Sequence, residues 1–329
     1  METEVIFSKI IGIGSFAPEN ILTNRDLEKI VDTSDEWIRK RTGIVERRRI
    51  DKDKATSDLA VEAAKKAIEM AKIDLDEIEA IIVGTAFPDH MFPSTGCIIQ
   101  KRLGIKKAFA YDLNAGCTGF IYGLMQADAF IKTGRIKTAL VIGAEVITKF
   151  LNWNDRTSCV LFGDGAGAVV LQASDSPGIL DIKIASDGAF ADLLYMPAGG
   201  SKLPPSFDTV NNNLHTVHLK GKEVFKIAVN SLSGLAIELL NKSNISCEDI
   251  DMFIPHQANK RIIDAVADKL GLSKDKVFIN IHKYGNTSAA SIPIALDECM
   301  KENVLKQGDK ILITAFGAGL TWGGAVIKL

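Results

Sequence analysis

The chain repeats itself at about half its length, and nothing else in the sequence limits the possible folds as much. Glu77-Ile78-Glu79-Ala80-Ile81-Ile82-Val83 resembles Asp249-Ile250-Asp251-Met252-Phe253-Ile254-Pro255. Each block follows an amphipathic stretch of helical period, Ser57 to Ala71 in one half and Val224 to Lys242 in the other. Gln100 to Ile105 echoes Asp268 to Leu272, and Gly116-Cys117-Thr118 lines up with Gly285-Asn286-Thr287. Thr138 to Gly143 matches Lys310 to Thr314, and Gly167 to Val170 matches Gly324 to Ile327. Blocks recurring in one order mean a duplicated unit. Periods of 2 and 3.6 alternate within it, so the unit is α/β. The expected architecture is one pseudo-twofold body of mixed sheets covered by helices. Its halves are residues 1–175 and 176–329, meeting near Ala173 to Gly178, and Leu203 to His215 is an irregular surface loop.

Composition removes several function classes. The 329 residues are 47% hydrophobic with a formal net charge of -2, ordinary for a globular chain and without the bulk charge that nucleic acid or an anionic membrane would call for. The five cysteines, Cys97, Cys117, Cys159, Cys247 and Cys299, are odd in number, widely spaced and without a CxxC pair. No disulfide framework or metal site is expected from them, and a reducing cytoplasm fits. The N-terminal METEVIFSKIIGIG has early acids and no long apolar core, so no signal peptide is expected. Ile311 to Ile327 carries no charge, but Gly317, Gly319, Gly323 and Gly324 break it into two short buried strands rather than a membrane span.

Two glycine clusters invite a nucleotide-binding reading and fail it. Gly12-Ile13-Gly14-Ser15-Phe16-Ala17 fits GxGxxA, but Pro18 follows, and the next helix signal is the cap at Thr23 or Asn24. Gly163-Asp164-Gly165-Ala166-Gly167 lacks the lysine of a phosphate-binding loop and is expected to be a tight turn.

Three residues carry chemistry. Cys117 lies between an apolar strand, Phe109 to Leu113, and a helix of small and apolar residues running to about Ile131. A thiol at a helix N-terminus faces the positive end of the macrodipole, so thiolate is favoured there. Flanking Gly116 and Gly119 permit a sharp bend and a close substrate. His256 follows the apolar run Met252 to Pro255, at a strand's C-terminal end where α/β proteins place their sites. Asn286 holds the position aligned with Cys117 in the other half, again at a strand-to-helix turn. Pseudo-symmetry then brings Cys117 and Asn286 to facing strand ends across one central cleft, and Cys, His and Asn converging there would form an acyl-transfer site.

At this point the sequence resembles the β-ketoacyl-[acyl-carrier-protein] synthase III family of condensing enzymes, in the thiolase-like superfamily. The blocks are Thr33 to Ile38 with Arg41 to Ile44, Ala115 to Phe120, Phe162 to Ala168, Gly221 to Lys226, Pro255 to Asn259, His282 to Ser291 and Ala315 to Gly323. The resemblance spans essentially the whole chain and implies a layered αβαβα body. It implies initiation of fatty acid synthesis: Cys117 takes a short acyl group, acetyl being the expected primer, from acyl-CoA. Malonyl-[acyl-carrier-protein] then loses CO2, with His256 and Asn286 donating to the enolate oxygen, and the carbanion attacks the acyl-Cys carbonyl. No metal or cofactor is implied, and His256 should be neutral.

By the same resemblance the backbone N–H groups of Cys117 and Ala318 form the oxyanion hole. Many relatives have glycine where this chain has Ala318. Trp37 and Arg156 would sandwich the CoA adenine, Arg41 would meet phosphate, and Asn259 would bond the pantetheine arm. Gln257, Ala258, Asn259, Lys260 and Arg261, with Lys226 and Lys269, would meet the acidic carrier protein. Phe92 would reach from a homodimer partner into the acyl pocket. Other readings are a polyketide- or quinolone-type starter enzyme of this fold, a plant-type polyketide synthase, a hydroxymethylglutaryl-CoA synthase, a non-catalytic partner subunit, and an acyl-thioester hydrolase.

Overall fold

Two sheets share one helical layer. The computed structural model describes residues 6–329; residues 1–5, the start of the segment read for a signal peptide, lie outside them. The first sheet holds β1 (Phe7–Phe16), β2 (Ala80–Gly84), β3 (Phe109–Leu113), β4 (Thr138–Glu145) and β5 (Gly165–Ser174), in the order β1-β5-β4-β2-β3. The second holds β6 (Ile179–Ser186), β7 (Met252–Pro255), β8 (Lys310–Gly317) and β9 (Thr321–Lys328), in the order β7-β8-β9-β6. In each, two neighbouring strands run parallel (β2 with β4, β7 with β8) and the next pairs antiparallel. The helices that build the layers are α1 (Asp35–Thr42), α2 (Thr56–Ala71), α3 (Thr95–Leu103), α4 (Gly119–Lys132), α5 (Gly221–Lys242), α6 (Lys260–Leu270) and α7 (Ser291–Lys301).

Strand alternation assigns the layers. Ile82, Val141 and Val169 point inward with Phe120, Leu124, Ile292, Leu296, Ile311 and Ile313, so α4 and α7 lie between the sheets. Their sequence neighbours Ile81, Val83, Leu140, Ile142 and Val170 point the other way onto Leu59, Ala63 and Ala67 of α2. On the far side Phe253, Leu312 and Val326 meet Leu232 and Leu239 of α5 and Val266 of α6. The result is the αβαβα body. At about 1.5–3 kcal/mol per large apolar side chain fully buried, this shared middle layer welds the halves into one unit.

Four pairs of elements in the repeat share one offset. Phe7 and Ile179, Ala80 and Met252, Gly119 and Ser291, and Thr138 and Lys310 each open equivalent elements, and each pair is 172 residues apart. An isolated parallel bridge, Phe253 to Val277, marks the place where the second half lacks a full counterpart of β3. Two sequence alignments are corrected by this register. Thr138 pairs with Gln172 and Lys310 with Lys328. Val169 therefore corresponds to Ala325, one residue off the match of Gly167 with Gly324. That one-residue slip would have turned the strand's apolar set to the wrong face. The second correction concerns the site itself and is given below.

Other expectations meet the structure unevenly. Ile311 to Ile327 is β8 and β9, an antiparallel pair turning through Gly319 and Leu320 at positive φ. No helix among the described residues is long and apolar enough to cross a membrane. β1 runs straight through the GxGxxA glycines, and the next helical turn begins at Asn24 with Thr23 as its cap. Gly165 to Gly167 is not a tight turn but the start of β5. Asp164 before it is a buried tie, accepting the N–H groups of Ile50 and Thr148, each at 2.9 Å, and the Thr148 hydroxyl at 2.6 Å. The 203–215 loop contains a short exposed helix, Phe207–Asn211.

Candidate active site

Cys117 sits in a single 3-10 turn, Gly116–Thr118, between β3 and α4. Gly116 has φ +55°, and a Cβ there would stand 2.6 Å from the Ala318 nitrogen, so only glycine lets the two backbones meet. On the other side, a Cβ on Gly317 would stand 2.6 Å from the Cys117 nitrogen. The backbone nitrogens of Cys117 and Ala318 thus lie at one close approach of the two segments.

The second half builds the facing turn, Ser288–Ala290 before α7. Its geometry corrects the pairing of Cys117 with Asn286. Asn114 Oδ1 accepts the N–H of Gly116 at 3.2 Å, and Asn286 Oδ1 accepts the N–H of Ser288 at 2.8 Å. Gly116 and Ser288 both have positive φ, +55° and +51°. At the 172-residue offset Asn286 is the counterpart of Asn114, Ser288 of Gly116, and Ala289 of Cys117. The sequence match was displaced by three residues because Gly285 imitated Gly116. Asn286 still reaches the cleft, but from the lip of the turn.

Cys117, His256 and Asn286 line one cleft of about 580 Å³ that also takes in Trp37, Arg41, Asn259 and Arg261. His256, 5% exposed, follows β7. Its Nδ1 lies 2.6 Å from Ser291 Oγ, which already accepts the N–H of Gln257. In the tautomer in which the Ser291 hydroxyl donates to Nδ1, Nε2 carries the N–H. That Nε2 is buried and has no partner among the described residues. Burial pushes the imidazole down to about 3, so it is neutral at pH 7. Asn286 spends its oxygen on Ser288, which turns its Nδ2 into the cleft.

Burial of Cys117 opposes the thiolate that its helix position favours. The residue is 8% exposed, and burial, reinforced by the negative charge of Glu145, pushes the thiol up to about 12. Desolvation here exceeds what a helix end, at about 0.3–1 kcal/mol, returns. Glu145 was missed in the sequence. It closes β4, is fully buried, and accepts from the Ala86 N–H at 3.0 Å, Thr85 Oγ1 at 3.2 Å and Ser288 Oγ at 2.9 Å. Burial raises its carboxyl to about 7. The available signal was an acid ending the otherwise apolar run Ala139 to Ala144.

A second cavity, about 860 Å³, opens on the other side of Cys117 and is walled by Phe87, Leu113, Ile147, Phe162, Leu194 and Val217 among others. Met91 and Phe92, on the loop before α3, are 81% and 86% exposed. At the cleft, Arg156 lies 5.3 Å and Arg41 5.7 Å from the Trp37 ring. The Arg156 stack leaves no room for a base between them, so the expected sandwich is closed here, and Arg156 is tethered by the Asp32 carbonyl at 2.9 Å.

The carrier-protein set divides. Lys226 and Arg261 are exposed; Arg261 lies over Phe225 and Lys260 pairs with Asp264. Lys269 bonds Asn230 at 2.7 Å. Ala258 is half-buried, and Asn259 caps α6, its Oδ1 accepting from Arg261 N while its Nδ2 reaches the Arg41 carbonyl at 3.2 Å. Gln257 is a correction. It is 1% exposed, donates to the Pro255 and Phe278 carbonyls and accepts the N–H groups of Asn280 and Ile281. A side chain so enclosed cannot meet a carrier protein; it braces the segment that positions His256.

Comparison with known proteins places this geometry among relatives. Family models described as 3-oxoacyl-[acyl-carrier-protein] synthase III and its C-terminal part match residues 111–188 and 240–329. A β-ketoacyl-[acyl-carrier-protein] synthase III from Caldanaerobacter subterraneus subsp. tengcongensis is 55% identical over 326 residues, 99% of this chain and 98% of the relative. The 3-oxoacyl-[acyl-carrier-protein] synthase III crystal structure from Aquifex aeolicus is 48% identical with TM-score 0.91, covering 98% of this chain and 100% of that one. The priming β-ketosynthase of the R1128 polyketide pathway is 34% identical with TM-score 0.93, covering 100% and 98%.

Proposed function

Because this chain belongs to the 3-oxoacyl-[acyl-carrier-protein] synthase III family, we infer that it is the acyltransferase that initiates fatty acid synthesis, and that its three cleft residues divide the reaction. It condenses a short acyl-CoA with malonyl-[acyl-carrier-protein], giving 3-ketoacyl-carrier protein, CoA and CO2. The single observation that carries the division is the pair of unspent donors, His256 Nε2 and Asn286 Nδ2, in the cleft that holds Cys117.

Cys117 Sγ attacks the primer thioester, and the carbonyl oxygen enters the crevice between the Cys117 and Ala318 N–H groups. Those donors meet the charge as it develops, a type of contact worth about 2.7–4 kcal/mol in other acyl transfers. CoA leaves, and the malonyl group follows along the same cleft. His256 and Asn286 donate to its thioester oxygen. A neutral donor suits an enolate, because an imidazolium would give up its proton to it. CO2 departs, the enolate carbon attacks the acyl-Cys117 carbonyl, and the tetrahedral oxygen returns to the same crevice. The energy comes from CO2 loss, so the step asks for no metal or cofactor.

The binding roles are proposals on the same footing. Trp37 and Arg156 part to admit the adenine, Arg41 meets phosphate and Asn259 the pantetheine arm. Arg261, Lys260 and Lys226 attract the carrier protein, with Ala258 and Asn259 at its edge. We place the enzyme in the cytoplasm, which its free thiols, exposed Cys97 included, support. We propose a homodimer: Phe92 is too exposed for an apolar residue with no function, and β3 is an unpaired edge with Phe109 also exposed. In the dimer Phe92 closes the partner's acyl cavity.

The test is turnover with malonyl-carrier protein against a panel of acetyl-, propionyl- and branched acyl-CoA primers. Ketoacyl product is expected, with discrimination of about 1–3 kcal/mol per methylene. Free acid as the main product would make the protein a hydrolase instead. Cys117→Ser abolishes covalent acylation. His256→Ala spares acylation more than decarboxylation, and equal losses in both would sink the division of roles.

A further inference from the structure

Burial disfavours ionisation of the Cys117 thiol, and the structure holds a route for its proton. Ser288 Oγ lies 3.4 Å from Cys117 Sγ and 2.9 Å from Glu145 Oε1. A hydroxyl has one proton, so with the carboxylate ionised Ser288 donates to Glu145 and is left to accept from the thiol. We propose that Glu145, acting through Ser288, accepts the proton of Cys117 during acylation. This rests on the acyl-transfer reading above and adds a positioning residue to it.

Each part has a reason to be there. Among the described residues, Glu145 is the charged group whose field acts on Cys117. Its Oε2 is fastened by Ala86 N–H and Thr85, which leaves Oε1 to Ser288. Ser288 adopts positive φ, where a non-glycine residue is strained, and the strain is held by the Asn286 bond. A plain buried core has no use for such an acid, since burying a carboxylate is costly. The carboxyl is raised to about 7, the range where a base both ionises and holds a proton. The other titratable groups around Cys117 are kept from this role. His256 faces Ser291, and Asp112 is held by the N–H groups of Thr95 and Gly96. His90 lines the acyl cavity, while Arg41, Lys222 and Arg261 are cations of the substrate cleft.

The step balances. The thiol proton passes to Ser288 Oγ as the Ser288 proton passes to Glu145. The Sγ–C bond forms, the C–S bond to CoA breaks, and the CoA thiolate takes the proton back along the same path. The resting thiol stays neutral, and ionisation accompanies attack.

Alkylation of Cys117 by iodoacetamide tests the relay without any acyl substrate, so its failure and that of the acyl-transfer reading are separable. In the wild type the logarithm of the rate should rise with pH to about 7 and then level. In Glu145→Gln and Ser288→Ala it should rise without that bend through pH 9, and be roughly 10²-fold slower at pH 7. Glu145→Asp should restore the bend, which a merely structural role would not require. Acetylation from acetyl-CoA should show the same pattern. A bend that survives in Glu145→Gln, or a wild type with none near pH 7, would overturn the proposal, and Ser288→Ala decides the matter if Glu145→Gln does not fold.

Discussion

Asn286 Oδ1 accepts the N–H of Ser288 at 2.8 Å, and this bond decides which end of the Asn286 amide faces the substrate. Asn286→Asp keeps the acceptor and removes the donor. Its decarboxylation of malonyl-carrier protein should fall by about 10²–10³-fold while acetylation of Cys117 changes far less. Separate assays of the two half-reactions check this.

Glu145 makes stability depend on pH in a direction opposite to most carboxylates. Its folded pKa, about 7, lies above the ordinary 4.5. Between these values the folded chain holds a proton that the unfolded chain has lost, so folding is penalised as pH rises through this window. Glu145→Gln removes the penalty. The variant should be more stable than wild type at pH 8, by at most about 3 kcal/mol, and the gap should close as pH falls from 7 to 4.5. Denaturant midpoints at several pH values measure it. Because His256 is held near 3, below its ordinary 6.5, it costs stability as pH falls below 6.5. His256→Gln provides the control for that opposing slope.

Gln257→Ala should act on stability and on His256, not on recognition. It strips partners from the buried N–H groups of Asn280 and Ile281, each about 1–3 kcal/mol when left unsatisfied. The KM for malonyl-carrier protein should change no more than the KM for acyl-CoA. Arg261→Ala should raise the carrier-protein KM selectively, and a selective rise in Gln257→Ala instead would restore Gln257 to the docking surface.

Arg156→Ala removes the guanidinium that, once parted from Trp37, would cover the other face of the CoA adenine. A cation–π contact of about 0.5–2 kcal/mol corresponds to a rise in acyl-CoA KM of roughly 2- to 30-fold with kcat little changed. Isothermal titration with CoA would show the same loss.

The sequence by itself determined the duplicated α/β fold, the strand ends carrying Cys117 and His256, and the loop carrying Asn286. These are statements about periodicity and local motif, and period 2 or 3.6 is written in consecutive residues. It did not determine register. A single glycine match displaced Cys117 against Asn286 by three residues, and only the equivalent elements, Ala80 with Met252, Thr138 with Lys310 and Gly119 with Ser291, settled the offset of 172, while the pairing of β4 with β5 and of β8 with β9 settled the match of Val169 with Ala325. Nor could it determine environment. Gln257 is polar and adjacent to the site, yet Asn280 and Ile281 enclose it. Glu145 stands 28 residues from Cys117 and 143 from Ser288, and only the tertiary fold makes them one proton path. A thiol's ionisation depends on how much water surrounds it and which charges lie within a few ångströms, and neither is a property of neighbours in sequence.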